Sequence, residues 1–379
     1  WKLLNGQVQN SKPLKEGYTI EDINSVLEQK WPSNDQIEKM SELNELVKTT
    51  KVFKEFETFF KNLKNIPNRI IVSLSGGVDS MVCSYMLVYM KQMFKYNFEV
   101  VAVSIDYANR PESKIEAEMV KGWCYAVLHI PCYLRRIEEI NRIREEDGHI
   151  QDREIYESVT KEVRYDMYRH LMLSDTPVVL GHNSDDCHEN FLTNIKKRIN
   201  YHNLRGMSPT SNDGDILFWR PILNIPKSDI YDFAKLMGIP YTLDSTPKWS
   251  QRGKLRDNVI PVLKNEGLLQ GFDYMADHMK DLTLIFENEI MAKMVEQIEY
   301  KEKECVIPLN ENMRKYPMFV WRRIFQTVCQ KMDIDNPSNK TLDLLVMKLQ
   351  EKYYKDVKVT IREEYCGWIT DNSLILKIK

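Results

Sequence analysis

No C-x-x-C pair occurs in this sequence, whose seven cysteines (Cys83, Cys124, Cys132, Cys187, Cys305, Cys329, Cys366) are scattered and odd in number. That spacing speaks against a zinc or iron–sulfur site, which needs closer pairing, and against a disulfide framework. Reduced thiols in a cytosol-like compartment, and so a cytoplasmic protein, are the expectation. No run approaches the roughly 18 uninterrupted apolar residues that span a bilayer, so no membrane partner is expected. Charge of one sign is not in excess either: 53 Lys and Arg stand against 55 Asp and Glu, a net of −2. This argues against a generally sticky nucleic-acid binder, and any RNA contact must come from local basic patches. Repeats and low-complexity tracts are missing. The chain starts at Trp1 rather than at a methionine, so it does not speak to a targeting peptide.

What is present suffices for two domains: 379 residues, 43% of them hydrophobic. Residues 1–66 are polar and rich in Lys, Glu and Asn, with a helix-like pattern at Phe53, Phe56, Phe59, Phe60 and Leu63. They read as an N-terminal extension, an arm plus one amphipathic helix packing on the main domain. A homodimer or larger assembly would form through this extension. From residue 67 short β-branched runs alternate with helical patterns. Ile70–Leu74, Val100–Ile105 and Val178–Leu180 are strands of the kind buried on both faces of a parallel sheet. Helices are expected near 80–95, 113–128, 153–173, 185–198 and 227–237. This alternation predicts an α/β domain with a doubly wound parallel sheet over 67–268, its ligand at the carboxyl ends of the strands. After Pro261 it stops. A long helix over 271–300, two more around 317–331 and 339–351, and strands Val357–Ile361 and Leu374–Ile378 predict a smaller α+β domain over 269–379. The boundary is placed near 266–271, where Glu266-Gly267 and Gly271 break the pattern.

The first strand ends in Ser75-Gly76-Gly77-Val78-Asp79-Ser80 and runs straight into a helix. Two glycines permit close backbone approach, the serines add hydroxyl donors, and the helix N-terminus offers free N–H groups to an anion. The Gly-Lys-[Ser/Thr] ending of a Walker A loop is absent. A carboxylate at Asp79 is unhelpful for bare phosphate and sensible if Mg²⁺ is bound with it. The run S-G-G-x-D-S after a buried strand resembles the PP-loop of the N-type ATP pyrophosphatases, which split ATP between its α- and β-phosphates.

A second constellation follows the third strand: Gly181-His182-Asn183-Ser184-Asp185-Asp186-Cys187-His188-Glu189-Asn190. Ser184 is the expected N-cap, and i, i+3 or i, i+4 spacing puts Glu189 on the face of Asp186 or Asp185. The stretch resembles the H-x-x-D-D-x-x-E-T pattern of the tRNA(Ile)-lysidine synthetase family, with Asn190 in place of threonine. Further likenesses follow in order: Ile105-Asp106-Tyr107-Ala108-Asn109-Arg110, Arg164-Tyr165, Leu204-Arg205-Gly206-Met207, Arg220-Pro221-Ile222-Leu223, and Arg252-Gly253-Lys254-Leu255-Arg256 before Pro261. Tyr107 replaces a family histidine and Gly253 a family asparagine. Ile307-Pro308-Leu309 and Trp321-Arg322-Arg323 resemble the family's substrate-binding domain. The likeness covers about residues 67–379.

The resemblance implies an ATP-dependent, tRNA-modifying ligase. The C2 carbonyl oxygen of a wobble cytidine, in a tRNA with a CAU anticodon, attacks the α-phosphorus of ATP. The ε-amine of free lysine then displaces AMP to leave lysidine. ATP and Mg²⁺ are the implied cofactors. Ser75, Gly76, Gly77, Val78, Asp79, Ser80 and Asp106 fall to ATP and pyrophosphate, and Asp79 and Asp185 to the metal. Arg252 and Arg256 would offset charge on the α-phosphoryl group. Asp186 or Glu189 would hold or deprotonate the lysine ammonium. Arg110, Arg164, Lys196, Lys197, Arg198 and Arg205 would bind tRNA, with Tyr201 and His202 stacking on an unpaired base. A second basic stretch, Lys248, Arg252, Lys254 and Arg256, lies on the same expected path. Two alternatives stay open: another PP-loop tRNA modification such as cytidine 2-thiolation, which would want paired cysteines, and a non-catalytic RNA-binding or assembly subunit.

Overall fold

The computed structural model describes residues 44–108, 112–138, 140, 150–197, 204, 206–242, 251–351 and 357–379. The chain divides into two compact units between Ala276 and Asp277.

Among the described residues the first unit is built on six strands: β1 (Arg69–Ser73), β2 (Glu99–Asp106), β3 (Cys132–Arg136), β4 (Pro177–Val179), β5 (Thr210–Asp213) and β6 (Ile216–Trp219). They lie in the order β3-β2-β1-β4-β6-β5. The first five are mutually parallel, with Ile70 opposite Val100 and Val72 opposite Val179. β5 closes one edge antiparallel to β6. Ile70, Ile71, Val72, Val178 and Val179 are fully buried, because helices cover both faces of a parallel sheet. β3 and the β5–β6 hairpin lack a sequence counterpart above. β3 reads Cys-Tyr-Leu-Arg-Arg and lies half-exposed at an edge, where alternation and burial signals are weak.

Helix α1 spans Lys51–Lys61, α2 Val78–Phe94, α3 Ser113–Trp123, α4 Ile150–Leu171, α5 Ser184–Lys197 and α6 Lys227–Met237. α2 is apolar almost all round, as expected of a helix with the sheet on one side and other helices on the other. Those covering helices are α1 and α6. α1 starts at Thr50, whose hydroxyl accepts from Phe53 N–H, and buries Phe53, Phe56 and Phe60. Phe53 meets Tyr89 edge-on at 6.2 Å and Phe60 stacks on Phe98 at 5.9 Å. Each such side chain contributes about 1.5–3 kcal/mol relative to exposure.

The chain leaves β1 toward β2 on one side, while β4 pairs on the other, which makes the β1/β4 boundary the switch point of the sheet. Loops outside the carboxyl ends of strands form a crevice at such a point. Here those loops are Leu74–Gly77 and Leu180–Asn183.

Beyond α6 a helical run covers 251–265, with a π-helical turn at Leu255–Val259. Gly267, at φ +70°, ends that run, since only glycine takes this conformation at low cost. Gly271 breaks nothing. It lies inside α7 (Leu268–Ile285), where an added Cβ would meet open space. The long helix expected over 271–300 thus begins at Leu268, passes a π-helical segment Phe286–Met291 and ends by Val295. Glu299 and Tyr300, expected as its last residues, instead open β7 (Glu299–Lys301).

The second unit pairs β7 with β8 (Glu304–Pro308), β9 (Val357–Thr360), β10 (Tyr365–Ile369) and β11 (Ser373–Ile378), all antiparallel, in the order β7-β8-β11-β10-β9. Helices α8 (Met318–Met332) and α9 (Asn339–Gln350) bury Trp321, Phe325, Val328, Leu345 and Leu349 against Cys305, Ile307, Leu374 and Leu376. The architecture is a parallel-dominated α/β sheet followed by a separate antiparallel α+β unit. No helix among the described residues is long and apolar enough to cross a membrane.

Candidate functional site

The loop after β1 folds on its own hydroxyls. Ser75 N–H donates to Ser80 Oγ at 3.1 Å, the two serine hydroxyls are 3.1 Å apart, and Ser80 Oγ donates to Gly77 O at 3.0 Å. Gly76 sits at φ +85°, with Thr242 N–H donating to its carbonyl at 2.9 Å. Gly77 caps α2 without any side-chain bond. The first N–H groups of the helix are therefore left for another acceptor, the arrangement of an anion-binding helix terminus.

Asp79, in the first turn of α2, faces the loop after β4. Its Oδ1 accepts from Asn183 Nδ2 at 2.9 Å, and its Oδ2 is 3.5 Å from Lys227 Nζ at the start of α6. Burial pushes the Asp79 carboxyl above its ordinary range and the Asp186 charge adds to this, against the opposing pull of Lys227 and Asn183. Gly181 makes the approach feasible. A Cβ there would stand 2.8 Å from Asp79 C and Ser80 N.

Helix α5 is capped by Asn183, not by Ser184 as the sequence suggested. Asn183 Oδ1 accepts from Asp185 N–H at 2.9 Å and Asp186 N–H at 3.2 Å, and Asn183 N–H donates to Asp186 Oδ2 at 3.1 Å. Ser184 is the first helical residue. Asn is as good a cap as Ser, so local propensity does not separate the two. The acids then diverge. Asp185 Oδ1 accepts from Lys227 N–H at 3.3 Å, whereas Asp186 and Glu189 share a face and meet Arg252. Glu189 is 1% exposed and holds two guanidinium groups: Arg252 Nε donates to Oε2 at 2.9 Å and Arg256 Nε to Oε1 at 2.6 Å. Arg252 and Arg256 stand four residues apart on one helical run, which lets both reach the same carboxylate. His182 is a further member. Burial, then the charges of Arg220, Arg252 and Arg164, hold its imidazole down at about 4, and Nδ1 accepts from Arg220 Nε at 3.0 Å.

A PP-loop domain family matches residues 48–263, more than half of the sequence. The chain belongs to the PP-loop family. It is similar to tRNA(Ile)-lysidine synthase of Enterococcus faecalis, 24% identical over 66% of this chain and 53% of that protein. Its counterpart in Thermosipho africanus is 27% identical over 60% and 54%, and that of Mesoplasma florum 25% identical over 76% and 69%. The chain thus spans about half the length of the first two of these curated relatives.

Within this PP-loop unit, Ser75, Gly76 and Gly77 form the loop and Val78, Asp79 and Ser80 the first turn of α2, and Asp185, Asp186, Glu189, Arg252 and Arg256 gather around the start of α5. Asp106 stands at the carboxyl end of β2, where its Oδ2 pairs with Arg136 at 2.6 Å and Oδ1 accepts from Ala108 N–H at 2.9 Å. Burial would raise its pKa, but the Ala108 bond and the Arg136 charge leave it below the ordinary range. Arg164, on α4, donates to Tyr107 OH at 3.4 Å. Lys196 and Lys197 lie exposed in the last turn of α5, about 15 Å along the helix from the acidic turn. Arg110, Arg198 and Arg205 lie outside the described residues, as do Tyr201, His202, Lys248 and residues 1–43 of the extension. Among the described residues, no three His, Cys, Asp or Glu side chains converge as a metal cage. The site residues that sequence reasoning missed are Asn183, Lys227 and the His182–Arg220 pair. His182 and Asn183 stood within the quoted acidic run and Arg220 opened the Arg-Pro likeness, but no role followed for them, and Lys227 had no local signal.

Proposed function

We propose that this chain uses ATP to adenylate C2 of the wobble cytidine of a CAU-anticodon tRNA and then replaces AMP by lysine, forming lysidine. The observation that carries the reading is the direct junction of the serine–glycine loop with the acidic, arginine-bearing turn through Asp79 and Asn183. That junction supports the reading, because it sets the glycine–serine loop beside carboxylates and arginines. The lysidine synthases similar in sequence support the choice of reaction.

In this reading the β- and γ-phosphates of ATP take the N–H groups of Val78–Ser80 and the hydroxyl of Ser75. Asp79 fits Mg²⁺: Asn183 holds one of its oxygens, the other lies 3.5 Å from Lys227 Nζ, and this ion is held by one or two carboxylates with substrate phosphates. Bound there, Mg²⁺ would neutralise charge on the departing pyrophosphate. Asp185 is the poorer ligand because its oxygen faces Lys227 N–H. The C2 oxygen attacks the α-phosphorus, the bond to the β-phosphate oxygen breaks, and pyrophosphate leaves. Arg252, still 54% exposed, offsets charge on the α-phosphoryl group. Glu189 gives both oxygens to arginines and acts by positioning them, which leaves Asp186 to accept the proton of the lysine ammonium. The amine then attacks C2 and AMP leaves. Lys196, Lys197 and Arg164 contact the RNA backbone.

The test is incubation with a CAU-anticodon tRNA, ATP and labelled lysine. The expected result is label in the RNA with one pyrophosphate released per lysine attached. A protein that binds ATP and RNA yet never attaches lysine would sink the proposal.

A further inference from the structure

Asn183 makes more bonds than a helix cap requires. A cap needs one side-chain oxygen to receive the first N–H groups of the helix, and Asp or Ser supplies that as well as Asn. Asn183 Oδ1 does this work for Asp185 and Asp186. Its amide nitrogen is an extra donor, and it is spent on the carboxylate of Asp79, 104 residues away in sequence. The residue is 2% exposed, so water offers its amide little alternative. Gly181, two residues earlier, lets the exit of β4 lie against the Asp79 backbone, which brings the amide within reach. The bond occupies Oδ1 of Asp79 and leaves Oδ2 toward Lys227, at a distance too long for a strong hydrogen bond.

We infer that Asn183 is a positioning residue: it joins the phosphate loop to the acidic turn and sets the orientation in which Asp79 offers its carboxylate to a divalent cation with nucleotide. The inference rests on the ATP-using reading above. It requires a neutral donor at this position. A carboxylate in place of the amide would keep the cap, lose the donor and set a third negative charge beside Asp79 and Asp186. A hydroxyl would keep an acceptor for the cap and fall short of Asp79. Groups that orient metal-ligating carboxylates typically govern metal affinity by about 10- to 100-fold.

The experiment titrates Mn²⁺, in place of Mg²⁺, into the full chain with a non-hydrolysable ATP analogue and follows free ion by electron paramagnetic resonance. Asn183→Asp and Asn183→Ser are compared with the parent and with Asn183→Ala, which also loses the cap. The Ser variant is expected to unfold near the parent midpoint and the Asp variant, with its buried extra charge, below it, while both bind Mn²⁺ about 10- to 100-fold more weakly. Pyrophosphate release would need correspondingly more Mg²⁺. Unchanged Mn²⁺ binding in the Asp and Ser variants, or weakening only in step with lost stability, overturns the inference. The titration needs no turnover. A parent that binds Mn²⁺ with the analogue but never labels tRNA defeats the lysidine reading alone.

Discussion

Replacing Glu189 with glutamine tests the arrangement at its most buried charge. The carboxylate is 1% exposed and bonds Arg252 and Arg256 through separate oxygens, at 2.9 and 2.6 Å. Glutamine keeps one acceptor oxygen but turns an NH₂ group toward the other arginine, so one guanidinium loses its acceptor and meets a donor. Removing one partner of a buried pair costs about 3–5 kcal/mol. The arginines, at 54% and 28% exposure, regain part of this from water, which lowers the expectation to roughly 1–3 kcal/mol. Denaturant unfolding, read as a lower midpoint at unchanged slope, measures it. The consequence for catalysis is larger, because a misplacement of about 1 Å costs on the order of 100-fold. Pyrophosphate release in the presence of tRNA should fall by about that factor, before any lysine is used. The refuting result is a variant as stable as the parent that releases pyrophosphate at the parent rate and fails only to incorporate lysine. Glu189 would then be the acid of the amine step, not the holder of the arginines.

Other perturbations probe neighbouring parts. Asp79→Asn and Ser75→Ala should each abolish pyrophosphate release with little change in the unfolding midpoint, through lost donors or metal charge worth several kcal/mol in the transition state; near-parent turnover in both would remove the loop from the site. Lys196→Ala with Lys197→Ala should weaken tRNA binding and reduce the salt slope by up to about two phosphate contacts, and an unchanged slope returns both lysines to a solvated helix end. His182 should make stability depend on pH in one direction. Its folded pKa, about 4, lies below the ordinary value of 6.5, so between these the unfolded chain binds a proton that the folded chain refuses. The contribution is fully present above pH 6.5 and is lost as pH falls toward 4. A His182→Asn variant whose midpoint falls as steeply with pH as the parent's would show that His182 does not carry it.

Much of this was readable because it is local. The buried β1, β2 and β4 strands announce themselves by β-branched runs, and the glycine–serine turn into α2 by residues with few other uses. The alternation that follows is enough to place ligand loops at the carboxyl ends of a parallel sheet. Weak signals failed for equally local reasons. β3 is an arginine-bearing edge strand, β7 is three residues long, and Gly271 resembles a helix breaker although nothing crowds it in α7.

A glycine–serine loop and an acidic helix start are legible in the sequence, because backbone freedom at Gly76, capping and charge at a helix terminus act over a few residues. The sequence left open which acid faces which base. Asp185, Asp186 and Glu189 share one short run, yet Asp185 turns to α6 while the other two take Arg252, 66 and 63 residues away. The link from Asn183 to Asp79 spans 104 residues. These pairings come from the folded chain: hydrogen bonds and ion pairs depend on separations of a few ångströms, and it is the order β1-β4 in the sheet that sets distant loops side by side.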